Sequence, residues 1–138
     1  MEQSLREPWT KPKNKNMENQ NKLIVARASF IRHSPRKLRL VADAVRTLAP
    51  ERAVQVLKAL PQKASLPLMK VFSQAIANAK NNFKLSPGDL FIKRLEINEG
   101  AKGAKKADVH AHGARFDRGV RRKKTSHIFL ELTTKEGK

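Results

Sequence analysis

Apolar residues recur along this chain with two different periods. LIVARASFI at 23–31 is rich in β-branched and apolar types and predicts a first strand, with Arg27 on its exposed face. Ser34 and Pro35 form a cap and a favoured first helical residue. After them, Leu38, Val41, Ala42, Val45 and Leu48 fall on one helical stripe. Arg36, Arg39, Asp43 and Arg46 recur on the other side, predicting an amphipathic helix with a basic outer face that ends before Pro50. A short second helix is predicted from Pro50 to about Leu60, with Ala53, Leu57 and Leu60 inward. A third runs to about Asn82. Leu66, Met69, Phe72, Ile76, Ala79 and Phe83 mark one of its faces, and Leu68, Val71 and Ala75 broaden it, which predicts a central place in the core. Pro67 sits either in the first turn of that helix, after a Ser65 cap, or as a kink further in.

After a turn at 86–89 the period becomes two. Residues 91–98 place Leu95 and Ile97 on one face and Arg94, Glu96 and Asn98 on the other. Residues 126–133 place Ile128, Leu130 and Leu132 inward, with His127, Phe129, Glu131 and Thr133 on the opposite face. The last two strands are most simply an antiparallel pair, the first strand adds at an edge, and the helices cover one face. The predicted fold is therefore α+β: three helices packed on a small three-stranded antiparallel sheet, with a long β-hairpin extension. The domain spans 23–134. Residues 1–22 read as a flexible basic arm and 135–138 as a polar tail.

The segment between the last two strands, GAKGAKKADVHAHGARFDRGVRRKK at 100–124, has no periodic apolar pattern. It carries Lys102, Lys105, Lys106, Arg115, Arg118, Arg121, Arg122, Lys123 and Lys124 against Asp108 and Asp117. A loop this long within a small domain signals either function or disorder. As a hairpin over 99–125, its arms of about twelve residues would reach roughly 40 Å from the domain. Such a ribbon has no apolar face to bury and needs a partner to order it.

Composition narrows the choice of partner. The 138 residues are 39% hydrophobic, enough for one domain with a real core. The net charge is +18, from 30 Lys and Arg against 12 Asp and Glu. It is spread as +2 over 1–22, +6 over 23–60, +4 over 61–98 and +6 over 99–138. A charge of that size favours a polyanion that surrounds the protein over a flat membrane surface. Cysteine is absent, which excludes disulfides and zinc–thiolate sites. No apolar run approaches the ~20 residues of a bilayer span, and 1–22 has no hydrophobic signal core. A cytoplasmic protein without membrane contact is expected.

Arg32, Arg36, Lys37, Arg39 and Arg46 form a second cationic surface, and a helix N-terminus adds its own preference for anions. Asp108, His110 and His112 alternate and could ligate a metal, but three neighbouring cations make a poor site. His33 and His127 read as hydrogen-bonding or phosphate-contacting residues. No P-loop or nucleophile elbow is present, and neither an enzyme nor a cofactor is expected. Aromatics are scarce (six Phe, one Trp, no Tyr), with only Phe116 inside the basic segment. Backbone and shape recognition of a folded RNA is the expectation. The runner-up is a DNA-binding helix-turn-helix over 34–48 and 51–60. Its second helix offers only Arg52 and Lys58, whereas a reading helix carries the base contacts itself.

Four strings occur in order: SPRKLRLVAD at 34–43, QAIANA at 74–79, INEG at 97–100 and KKTSHI at 123–128. Together they resemble the bacterial form of ribosomal protein twenty-two of the large subunit, over residues 23–134. The resemblance implies a non-enzymatic protein that binds large-subunit rRNA and supports assembly. It also implies neighbouring ribosomal proteins as partners and no homo-oligomer. By motif, Arg36, Lys37 and Arg39 would contact rRNA from the first helix, and Lys123, Lys124, Thr125, Ser126 and His127 from the hairpin base. The cations Arg27, Arg32, Arg46, Lys102, Lys105, Lys106, Arg115, Arg118, Arg121 and Arg122, with Ser34, complete the expected rRNA-binding set. The tip, Asp108, Val109, His110, Ala111, His112, Gly113, Ala114 and Arg115, would line the nascent-peptide exit tunnel. The tip also departs from the family pattern. The usual Pro after the Lys105-Lys106 pair is missing, an Arg is replaced by His110, and 99–125 is a few residues longer.

Overall fold

The computed structural model describes residues 23–103 and 122–134. The expected arm at 1–22, the expected hairpin beyond its base at 104–121 and the expected tail at 135–138 lie outside the described residues. So do the site candidates Lys105, Lys106, Asp108 to Arg115, Arg118 and Arg121.

Strand β1 (Ile24–Ile31) is followed by helices α1 (Pro35–Val45), α2 (Pro50–Ala59) and α3 (Ser65–Phe83), a single 3-10 turn at Pro87–Asp89, and strands β2 (Leu90–Glu99) and β3 (Ser126–Thr134). The sheet order is β1-β3-β2, antiparallel throughout, so β3 is central and β1 adds to its free edge. The expected α+β arrangement is therefore present. Centrality explains the regular burial of β3. Ile128, Leu130 and Leu132 face the helices, while His127, Phe129, Glu131 and Thr133 alternate on the other face.

Two irregularities keep the outer strands in phase with that core. In β2 the inward residues change parity, from Leu90 and Ile92 to Leu95 and Ile97, and the register slips between Ile92 and Arg94. In β1 the change is from Ile24, Ala26 and Ala28 to Ile31, with a slip between Ala28 and Ile31. A one-residue insertion would otherwise turn every later side chain to the wrong face, and a bulge absorbs it.

Helix α3 buries Leu68, Val71, Phe72, Ala75 and Ala79 against the sheet. This differs from the expected face, because Leu66 is 56% exposed and Phe83, at 37%, is only partly covered. The stripe through 68, 71, 72, 75 and 79 includes two buried alanines, and α3 packs on β1, β3 and α2. Pro67 lies in the first turn, where its missing N–H has no intrahelical partner to lose. Ser65 is not the cap. Its hydroxyl donates to the carbonyls of Gln62 (2.7 Å) and Leu60 (3.3 Å), closing the α2–α3 connection. The end of α3 does not fray as its polar sequence suggests. Lys84 takes a left-handed conformation (φ 52°), and the Leu85 N–H reaches back to the Ala79 carbonyl at 3.2 Å. Helix α1 stops at Val45, before Pro50 as expected. Leu48 closes a turn onto the Val45 carbonyl (3.1 Å), and Ala49 is extended, as a residue before proline prefers.

Candidate nucleic-acid interface at the hairpin base

Pairing continues past the ends of β2 and β3 into the basic segment. The Gly100 N–H donates to the Thr125 carbonyl (2.9 Å), the Gly103 N–H to the Lys123 carbonyl (2.9 Å), and the Thr125 hydroxyl to the Ala101 carbonyl (2.7 Å). Two residues on one arm therefore match three on the other, which adds another irregularity to the ladder. This is the foot of a hairpin, and it presents Lys102, Arg122, Lys123 and Lys124 to solvent.

Gly100 allows the two arms to meet. A Cβ there would lie 2.5 Å from the Thr125 hydroxyl oxygen, 3.1 Å from the Thr125 carbonyl carbon and 3.1 Å from His127 Nε2. Gly100→Ala must displace the Thr125 side chain from Ala101 and press on backbone. It is expected to cost about 1–3 kcal/mol and to speed amide exchange at Gly100 and Gly103 while the α3 amides keep their protection. Unchanged exchange at both glycines would show that the arms are not held together this way.

The start of α1 is tied to the same end of the sheet. Ser126 is fully buried, and its hydroxyl donates to the His33 carbonyl at 2.7 Å. Its hydroxyl is thus committed inside the protein and anchors the residue before the helix cap. Ser34 occupies the cap, and its carbonyl accepts from the Lys37 and Leu38 N–H groups, but its hydroxyl makes no capping bond. No acidic residue stands in the first turn, and Arg36 and Lys37 are exposed. Arg39 turns back to β2. Its Nε and Nη2 both donate to the Ile97 carbonyl, at 3.3 and 3.0 Å, pinning the middle of α1 three residues before the hairpin foot.

The third contributor is the β1 bulge. Phe30 has φ 55°, its N–H donates to His127 Nδ1 at 3.2 Å, and its ring meets the imidazole edge-on at 4.8 Å. A left-handed conformation costs a non-glycine residue roughly 1–2 kcal/mol. The sequence placed Phe30 in an ordinary strand. The parity change after Ala28 was the available signal for a bulge.

These ties bring Arg32, Arg36, Lys37, Arg39, Lys102, Arg122, Lys123, Lys124 and His127 to one end of the sheet. Glu99 is the one carboxylate in stretches 30–39, 97–103 and 122–127. Two expected members lie elsewhere. Arg46 is at the far end of α1 and pairs with Asp43 at 3.1 Å. Arg27 lies on the open face of the sheet, over the Phe129 ring at 4.7 Å. Arg94 flanks the same ring at 5.9 Å and pairs with Glu96 at 2.6 Å. Arg94 belongs to this second, outward cationic feature and was absent from the expected set.

Among the described residues no group of three His, Asp or Glu could hold a metal. None of their buried polar side-chain atoms lacks a hydrogen-bond partner. No described helix is long and apolar enough to cross a membrane.

A family model described as ribosomal protein L22p/L17e matches residues 26–133. The chain belongs to this family. The match takes in most of β1, the three helices, β2, nearly all of β3 and the segment between the last two strands. Similar curated proteins include two named large ribosomal subunit protein uL22, from Mycoplasma capricolum subsp. capricolum and Mycoplasma mycoides subsp. mycoides SC. Each is 39% identical over 108 residues, covering 78% of this chain and 94% of the relative. The L22p/L17e family is a structural, non-enzymatic ribosomal family, and the non-catalytic reading of the sequence agrees with it. Residues 1–25 lie outside the family match.

Proposed function

We propose that the chain is a structural constituent of the large subunit of the cytoplasmic ribosome and binds large-subunit rRNA through the hairpin base, the α1 start and the β1 bulge. The observation that carries this is the convergence of three separate segments on one cationic end, with Glu99 as the single counter-charge in them. A surface of that balance attracts phosphates and releases their counterions. Segment 104–121, continuing the paired foot, enters the RNA, and its tip at 108–115 lines the tunnel of the nascent peptide. Neighbouring ribosomal proteins complete the surroundings, and no homo-oligomer is needed.

The experiment is a competition for the purified full-length chain between large-subunit rRNA and duplex DNA. Preferential, salt-sensitive binding to the rRNA is expected. Equal competition by duplex DNA, or affinity independent of salt, would overturn the reading. Crosslinking of residues 108–116 to a nascent chain in assembled subunits tests the tunnel assignment separately.

A further inference from the structure

We propose that Phe30 is a stacking platform for one unpaired nucleobase of the RNA held at the hairpin base. The inference rests on the rRNA-binding reading and adds a recognition element that charge alone does not supply. Phe30 is 67% exposed, the most exposed aromatic among the described residues, yet it occupies an energetically unfavourable left-handed backbone conformation. A bulge there re-aims the side chain, and the His127 imidazole fixes it by accepting from the Phe30 N–H and meeting its ring. On its other side His127 abuts the Gly100 position, so one imidazole couples the ring to the foot of the hairpin.

The surroundings select a base over an apolar protein partner. Among the described residues, the other exposed large apolar side chains are Leu23, just before β1, Leu40 on α1, Leu66 and Phe83 on α3, and Phe91 on β2; none belongs to the β1 bulge or the hairpin base, whose exposed side chains are mainly cationic. Arg32, two residues on, and Lys124, three residues before His127, leave the same strands and suit the phosphates flanking a stacked base. A base inside a helix already has both faces covered. The occupant is therefore a bulged, looped or terminal nucleotide.

Three variants of the full-length chain test this against large-subunit rRNA. Phe30→Gly removes the ring and suits the left-handed backbone, so its thermal midpoint should be unchanged or higher. Its affinity should fall roughly 5- to 150-fold, as loss of one base stack does. The slope of log affinity against log salt should stay the same, because no cation is lost. Phe30→Trp should bind as wild type does, whereas Phe30→Leu, which keeps apolar bulk without a flat face, should resemble the glycine variant. Photocrosslinking from position 30 in assembled large subunits should reach a single nucleotide. Wild-type affinity in Phe30→Gly or Phe30→Leu overturns the proposal, as does crosslinking to protein instead of RNA. If the wild-type chain shows no preference for rRNA over duplex DNA, the parent reading fails as well, whatever the variants do.

Discussion

Phe72→Ala is expected to remove about 3–5 kcal/mol of stability. Phe72 is fully buried at the middle of α3, where the helix packs on the sheet and on α2. Truncation leaves a cavity that the surrounding strands, fixed by their ladder, fill only in part. A domain of this size holds about 5–15 kcal/mol in total, and its charge of +18 works against compactness. The variant should therefore unfold at far lower urea concentration, with partial rescue by salt. Leu66→Ala is the control. The sequence pattern put Leu66 on the same stripe, but with most of its side chain in solvent it should cost no more than about 0.5 kcal/mol. Equal destabilisation by both changes would contradict the observed orientation of α3.

Replacing Arg122, Lys123 and Lys124 together by alanine should produce the largest functional effect. Each phosphate contact contributes about 0.7–0.9 to the slope of log affinity against log salt. The triple variant should therefore bind rRNA with a slope shallower by about 2–3. Scaled to 0.1 M salt, that corresponds to roughly 10²–10³-fold weaker binding, shrinking toward nothing near 1 M. All three residues are exposed and Lys123 pairs through its backbone carbonyl, so folding should be unaffected. A loss of affinity equal at all salt concentrations would point to damage of the hairpin instead of loss of phosphate contacts.

Periodicity carried most of the fold. The strands, the three helices and the inward face of β3 follow from apolar spacing, because core burial demands a continuous stripe. Where two stripes compete on one helix, spacing cannot rank them. On α3 the wide apolar face left open which side is buried, and the packing of the helix on β1, β3 and α2 decides it. The bulges were written as parity changes in β1 and β2, but a parity change also fits the end of a strand. The choice is made by β3 pairing on both sides.

For the proposed interface, composition and motif suffice to name the candidate cations and to favour a polyanion, since charge is additive along a chain. Their sorting is not additive. Arg39 and Ser126 carry the same motif-based expectation as Lys123, yet the first braces α1 against Ile97 and the second is buried on His33. Arg46 spends its charge on Asp43, and Arg27 covers Phe129. Which groups remain free depends on partners up to 97 residues away, as with Phe30 and His127. The residue order thus settles the fold class, the family and the cationic character. Long-range pairing chooses the cations that stay available and turns Phe30 outward, because these depend on a register between β1 and β3 that exists only once the sheet has closed.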